Sequence, residues 1–305
     1  MFRSLRTYRI LAISVLALSV AVILWGAFVR ATGSGAGCGS HWPLCNGVMV
    51  PRAPTLQTII EFTHRLTSGL LLILMLALLV SAFRTFPKGH PARAATVVSA
   101  IFLVVEALIG AGLVLLELVA DNPSIARGYW MGGHLANTFI LLGCMTLNVW
   151  FGWESRKPRF AGPWVWKFSV ALFLLLIVGI AGAVAALGNT LFPVETLAEG
   201  FRLDAARESH ILVRLRVWHP ILAVLAAVWL FYLAYTLTSD RRKRVRVLAT
   251  VLAAVVVEQV LAGFVNLVFL APTWGQLFHL FLADAVVITT VLLATATLTS
   301  SKESL

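Results

Sequence analysis

Charge is scarce in this chain. Only 12% of its 305 residues are Asp, Glu, Lys or Arg, against roughly 25% in a soluble domain. Without that polar surface a water-soluble globular fold is excluded, and a 60% hydrophobic content excludes disorder equally. Acidic residues are scarcer still, 13 against 24 basic ones, leaving a net charge of +11. In so apolar a chain this excess reads as loop bias beside a membrane rather than as a nucleic-acid surface. Three cysteines cannot build a disulfide scaffold. No Walker loop, no dinucleotide fingerprint after a strand and no zinc-type Cys/His spacing is present. What remains is an all-α integral membrane protein.

Eight stretches are long and apolar enough to span a bilayer, at about 20 residues per crossing: 10–30, 59–83, 95–119, 129–152, 164–187, 211–237, 247–270 and 276–298. No A-x-A cleavage site follows Arg30, so the first reads as a retained helix rather than a signal peptide. Most basic residues, every lysine among them, fall on one set of connections. These hold Arg3, Arg6 and Arg9; Arg84, Lys88 and Arg93; Arg156, Lys157, Arg159 and Lys167; Arg241 to Arg246; and Lys302. The positive-inside rule makes that side and both termini cytoplasmic in a cell (inner or plasma) membrane, with the long loops 31–58 and 188–210 outside. The run Arg241 to Arg246 is then an anchor beside anionic lipid.

The chain also repeats itself. Glu106-Ala-Leu-Ile-Gly-Ala-Gly returns as Glu258-Gln-Val-Leu-Ala-Gly-Phe, His64 as His219, Gly133-His134-Leu as Phe278-His279-Leu, and Gly26-Ala-Phe-Val as Gly182-Ala-Val-Ala. Landmarks recurring in order at a near-constant offset predict two pseudo-symmetric four-helix bundles of the same direction. These are an N-terminal half, 1–153, a cytoplasmic linker, 154–163, and a C-terminal half, 164–305.

His64, His134, His219 and His279 each lie near the start of an even-numbered span, at matched depth by the 1.5 Å helical rise. Bare zinc or copper would want three or four ligands. Two imidazoles across an apolar cleft suit a haem iron, whose other ligands come from the porphyrin. Arg65, Arg127, Arg214 and Arg216 stand at the rim where propionates would need cations. The competing reading is four interfacial histidines bonding between helices. Glu61 precedes His64 by three residues, one helical turn, and Arg216 holds the matching place before His219. A carboxylate there can accept protons, whereas an arginine can only pair with an anion. A structural ion pair of Glu61 with Arg65 is the alternative. Glu106 and Glu258 lie near mid-membrane, where charge is costly, and read as hydrogen-bonded between helices. Asp284 projects from another side of its helix than His279 and receives no role. His41, His90 and His210 fall in loops, and Cys144 reads as packing.

The run Gly26-Ala-Phe-Val-Arg30-Ala-Thr-Gly33-Ser-Gly35, the following Cys38-Gly-Ser-His-Trp42-Pro43-Leu-Cys45-Asn-Gly47, and Glu61-Phe-Thr-His64-Arg65, with the three later histidines, resemble the haem A synthase family over essentially the whole chain. The resemblance implies conversion of haem O to haem A by oxidation of a porphyrin methyl to a formyl, for terminal oxidase assembly. It implies His219 and His279 as ligands of a resident haem b iron, and His64 and His134 facing the haem O substrate beside a catalytic Glu61. A haem O synthase is the implied donor, and the electron acceptor is unnamed. The loop Gly188 to His210 lacks the second cysteine pair of some relatives. Cys38 and Cys45 remain on the oxidising face, where a disulfide is one reading and two free thiols the other. A di-haem bis-His electron-transfer protein of the cytochrome b561 or quinol-oxidising kind is the alternative function, and a transporter built on parallel repeats a further one. A homo-oligomer stays open, because lipid-facing and subunit-facing surfaces look alike in sequence.

Overall fold

A computed structural model describes residues 4–299. Arg3 and Lys302, counted above for orientation, lie outside the described residues. The described chain is helical and carries no strand, only an isolated bridge between Cys45 and Val48. Its helices are α1 (Leu5–Ala31), α2 (Leu56–Thr85), α3 (Pro91–Leu115), α4 (Ile125–Phe151), α5 (Pro163–Leu191), α6 (Leu197–Ala205), α7 (Ile211–Arg214), α8 (Trp218–Leu237), α9 (Lys243–Val268) and α10 (Thr273–Leu298). Eight spans are long and apolar enough to cross a membrane, α7 and α8 counting as one. At 25 to 30 residues for the unbroken ones and 1.5 Å per residue, they outreach a hydrocarbon core of about 30 Å.

Local chemistry sets the ends. Ser4, Thr55 and Ser124 cap α1, α2 and α4 by accepting from Thr7, Thr58 and Arg127 amides, which relieves orphan donors of the first turn. Pro91 and Pro163 open α3 and α5, where a missing N–H costs nothing. The third span stops at Leu115, short of the expected 119. Glu117 turns left-handed there (φ 54°), and the Leu118 amide reaches back to the Leu113 carbonyl at 2.8 Å, closing a Schellman-type end. The seventh ends the same way, with Leu270 at φ 59° and the Ala271 amide on Asn266 O at 2.7 Å.

Two features were not anticipated. The 188–210 loop contains α6, and its signal was in the sequence. Thr196 caps the Glu199 amide, and Glu199 accepts from the Glu195 amide at 2.9 Å, a variant of the Thr-x-x-Glu capping box. The sixth span is broken at Leu215–Val217, a single 3-10 turn. Pro220 has no N–H to give the carbonyl four residues earlier and its ring crowds that carbonyl, so the chain tightens there instead.

The helices pack as two closed rings. In one, α1 touches α2, α2 touches α3, α3 touches α4 and α4 returns to α1; in the other, α5, α8, α9 and α10 do the same. The rings meet chiefly through α4 on α5 and α10, and α1 on α10. Accordingly α4 and α10 are the most enclosed spans, with 56% and 50% of their central windows buried against 17–28% elsewhere. Outward faces carry Leu70, Ile73 and Leu76 on α2, Val228 on α8 and Leu261 on α9. Water would not tolerate such a belt, and a bilayer requires it.

One buried polar knot locks the first ring. Asn148 accepts from Tyr8 and Thr96 (3.3 and 2.7 Å) and donates to Ser99 at 2.8 Å, joining α1, α3 and α4. The basic end does more than set topology. Arg242 donates to the carbonyls of Ala296, Thr297 and Thr299, supplying donors to the open end of α10, and Arg244 lies over the Trp150 ring at 3.7 Å.

Candidate functional site

At the opposite, loop-bearing end the rings enclose one continuous cavity of about 1360 Å³, more than a single drug-sized ligand fills (about 300–1,000 Å³). His64, His134, His219 and His279 all line it, in a wall otherwise mostly apolar. The two half-sites expected from the sequence therefore share one chamber.

Glycine seats three of the imidazoles. A Cβ on Gly26 would lie 2.9 Å from His64 Cε1, one on Gly182 3.0 Å from His219 Cε1, and one on Gly263 2.9 Å from His279 Cε1. The echo of Gly26-Ala-Phe-Val in Gly182-Ala-Val-Ala thus has a physical cause: an imidazole edge lies against bare backbone in both places. His134 is held differently, with its Nδ1 3.1 Å from Glu106 Oε1, off the line of a good hydrogen bond.

His219 and His279 face each other with ring centroids 6.1 Å apart. A metal–imidazole bond of about 2 Å on each side, plus about 1 Å from nitrogen to ring centre, gives roughly 6 Å for two rings on one metal. Within the other ring of helices, His64 lies in the field of both His134 and Glu106. The Nδ1 atoms of His64 and His279 are buried without a hydrogen-bond partner, while His219 Nδ1 faces the Val178 carbonyl at 3.3 Å. That contact fixes the tautomer and leaves Nε2 free. Among the described residues no three or more His, Cys, Asp or Glu side chains gather as metal ligands. Two imidazoles per pair fall short of a bare zinc site; a haem iron would ask no more than two ligands of the protein.

The acids fall into place around these pairs. Glu61 is 3% exposed; its Oε1 is gripped by Arg65 and its Oε2 accepts from the Cys38 amide at 2.8 Å. Arg65 also donates to the carbonyls of His41 and Leu44, both at 2.6 Å. Cys38 and Cys45 are bonded as a disulfide, closing the loop that carries Trp42 and Pro43 over the cavity. A Cβ at Gly37 would strike the Gln57 backbone at 2.5 Å, so only glycine lets that loop lie against α2. Across the chamber Arg216 pairs with Asp204 of α6 at 2.8 Å and donates to Asn189 and Phe192 O.

Of the four arginines expected at the rim, Arg65, Arg127 and Arg216 line the cavity, and Arg214 does not: it is exposed, on the far side of the short α7. The 3-10 turn after it rotates Arg216 inward instead. Glu258 also departs from expectation. It is exposed on α9, and the residue that meets a histidine is its neighbour Gln259, whose Nε2 lies 3.4 Å from His279 Nε2. Gln259 thus stands beside the second histidine one position later than the aligned repeat, but against Nε2 rather than the Nδ1 that Glu106 meets. Asp284 is buried with neither oxygen bonded and outside the cavity lining; nothing in the structure explains a carboxyl there. His90 and His210 prove to be caps, accepting from the Ala92 and Leu212 amides. Sequence reasoning missed Arg30, which lines the cavity and donates to Ala186 O, Thr190 and Gln276. Its signal was a cation in the last turn of an otherwise apolar span.

Fold and chamber together define an eight-span membrane protein in which four imidazoles line one mostly apolar cavity. The chain belongs to the cytochrome oxidase assembly protein family (COX15-CtaA), whose profile matches residues 9–291. It is 46% identical over 289 residues to a Thermus thermophilus protein named protoheme IX farnesyltransferase, which covers 93% of this chain but only 47% of that protein. It is 30% identical over 220 residues to the heme A synthase of Bacillus cereus, 69% of this chain and 67% of that one; the Bacillus anthracis heme A synthase matches equally. The chain thus spans about half the length of the Thermus relatives.

Proposed function

We propose that this protein is a haem A synthase, oxidising one methyl group of haem O to a formyl group. The observation that carries this reading is the pairing of four imidazoles around one cavity with a carboxylate, Glu61, beside one pair and none in the matching place of the other. His64 and His134 are assigned to the haem O substrate, and His219 and His279 to a resident haem b. Such a haem, when bound, supplies a one-electron acceptor next to the substrate chamber. Heme A synthase is also the name of the Bacillus relatives.

Converting a methyl to a formyl with water as the source of the oxygen atom releases four electrons, passed one at a time to the electron acceptor, and four protons, so the chain must offer a proton acceptor. Glu61 fills that role only when its grip by Arg65 loosens, and Arg65 has alternative acceptors at hand in the His41 and Leu44 carbonyls. The Cys38 amide then keeps the carboxylate in place while its other oxygen is free. Glu106 orients His134, and the Val178 carbonyl orients His219. The apolar wall excludes bulk water from the reacting carbon. A haem O synthase is the natural donor of substrate and the membrane-side electron acceptor is left unnamed. The two rings are read as repeats of one four-helix unit, linked by residues 154–163, with the basic end and both termini cytoplasmic in the cell membrane.

The farnesyltransferase name belongs to proteins of which this chain covers half. Prenyl transfer from a diphosphate uses magnesium held by carboxylates, and the three acids lining this cavity (Glu61, Glu106 and Asp204) are each occupied by Arg65, His134 or Arg216. The ion pair at Glu61 favours a second reading, a permanent two-haem electron carrier. Extraction of the purified protein's porphyrins and identification by mass decides between them. Haem B together with haem O or haem A supports the synthase; haem B alone, in two non-exchanging sites, supports the carrier. A Glu61→Ala protein that keeps its resident haem yet still forms haem A removes Glu61 from the reaction.

A further inference from the structure

Four arginines and three acids line the chamber, and their pairing leaves a remainder. Arg65 is neutralised by Glu61 and Arg216 by Asp204, while Glu106 is committed to His134. Arg30 and Arg127 have no carboxylate within ion-pair distance among the described residues. Every acceptor that Arg30 meets is neutral: Ala186 O at 2.9 Å, Thr190 Oγ1 at 2.7 Å and Gln276 Oε1 at 2.7 Å. Arg127 is 3% exposed, bonds only the Ala120 and Asn122 carbonyls, and keeps its Nε buried without a partner. Arg127 lies close enough to act on the charge of Arg30, and the carboxylate that acts on Arg127 is the exposed Asp121, beyond ion-pair distance. Two like charges beside an apolar cavity, bonded only to neutral acceptors and with the Arg127 Nε left over, are a costly arrangement unless an anion joins them.

We propose that Arg30 and Arg127 form a two-pronged receptor for the carboxylates of an apolar dicarboxylate ligand, the propionate edge of a porphyrin, and that Arg65 and Arg216 take no direct part in it. This inference rests on the reading that the cavity takes haem, and it narrows the anion-binding set to one residue expected from the sequence and one that was not. Arginine suits the task because its planar fork binds carboxylate through two parallel N–H groups. Placement adds a consequence. Arg30 belongs to α1 but is held by α5 and α10, so an anion bound to it ties the first helix ring to the second. Charge-assisted bonds of this kind are the strong class, and losing one lowers affinity by about tenfold or more.

The test compares haem with its dimethyl ester, in which both propionates are capped, on the full-length protein in phosphatidylcholine nanodiscs, by equilibrium titration of the absorbance spectrum. Wild type is expected to bind haem at least tenfold more tightly than the ester. Arg30→Gln and Arg127→Gln are each expected to shrink that ratio several-fold, Arg30→Lys to keep part of it, and Arg214→Gln to leave it unchanged. The wild-type comparison needs no variant to fold. Equal binding of haem and ester by wild type, or an undiminished ratio in Arg30→Gln, overturns the receptor while leaving the haem reading intact. Displacement of haem by added phosphatidylglycerol, with no preference over the ester, assigns the two arginines to lipid phosphate and also overturns it. Failure of wild type to bind any porphyrin sinks both.

Discussion

Replacing Glu106 by Gln tests whether the two histidine pairs are held by different means. Glu106 receives a hydrogen bond on each oxygen, from the Thr138 hydroxyl on one and from Asn137 Nδ2 at 2.6 Å on the other, and its Oε1 also lies 3.1 Å from His134 Nδ1. A glutamine keeps one oxygen and turns an N–H₂ toward a neighbour that is itself a donor. Asn137 cannot simply flip to accommodate it, because its Nδ2 also serves the Phe102 carbonyl at 3.0 Å. One buried donor is left unpaired, at about 1–3 kcal/mol. The His134 ring loses the carboxylate that orients it, and such supporting partners are worth about 10–100-fold in metal affinity. The two estimates describe the same loss and agree at roughly 1.5–3 kcal/mol. Glu106→Gln is therefore expected to weaken haem binding at the His64–His134 pair by one to two orders of magnitude, and to spare the His219–His279 pair, which Glu106 does not touch. Haem titration followed by absorbance and magnetic circular dichroism resolves the two pairs. Equal weakening at both, or a change under twofold at the first, refutes the reasoning.

Three further outcomes follow from the same geometry. Gly182→Ala puts a methyl 3.0 Å from His219 Cε1; overpacking of about 1–3 kcal/mol is partly offset by about 1 kcal/mol of helix propensity, so thermal stability moves little while the spectrum and affinity of the His219–His279 pair change, and Gly69→Ala, with open space around it, changes neither. Removing the disulfide with Cys38→Ser and Cys45→Ser frees a loop closed over a separation of 7 residues, worth about 2.5 kcal/mol by chain entropy; proteolytic nicking or hydrogen exchange should rise in residues 32–55, with α4 and α10 unchanged. His90 sits at the start of α3, outside the span, where partial burial first and the nearby Lys157 second hold its pKa below the usual histidine value. The neutral ring accepts from the Ala92 amide, so the cap's stabilisation is complete above about pH 6.5 and is lost as pH falls through the lowered pKa; protection of the Ala92 amide should fall on acidification and stay flat from pH 7 to 8, and the reverse order would refute the cap.

The spans were legible because apolar length is a one-dimensional property, and a helix in lipid has no alternative way to satisfy its backbone. The four histidines were legible because polar rings at matched depth stand out against leucine and valine. What stayed hidden depended on rotation. Glu258 and Gln259 are adjacent in sequence but about 100° apart around α9, and only contact geometry says which one meets His279. Arg214 and Arg216 were indistinguishable until the 3-10 turn caused by Pro220 sent one outward and the other in. Arg30 was in view within the Gly26-to-Gly35 motif, but its isolation from every carboxylate is a property of the whole chamber. Asp204 was unreadable because α6 seemed to be loop, although the spacing of Thr196 and Glu199 carried the signal of a helix start.

The asymmetry between the two rings is deeper than the Glu61–Arg216 exchange that the sequence displays. On α2 the acid sits three residues before the histidine and its arginine partner follows on the same helix, so the pair can open without moving any other element. Across the chamber the arginine occupies that place and its acid, Asp204, comes from α6. Opening that pair means moving a helix that lies outside the ring. Beside the second histidine of each pair the contrast recurs, a carboxylate at Glu106 against an amide at Gln259. Charge near the His64–His134 pair is thus adjustable by single side-chain motions, whereas the His219–His279 pair is bordered by a neutral amide and by an ion pair anchored on another helix. A site that must take up a ligand, shed protons and release product needs the first kind of surroundings; one that only holds its ligand is served by the second. The exchange Gln259→Glu with Glu106→Gln separates these roles: if the surroundings decide them, the pH dependence of the haem midpoint potential should follow the carboxylate, growing at the His219–His279 pair and fading at His64–His134. Unchanged pH dependence at both pairs would mean that the difference lies in the ligands themselves and not in what borders them.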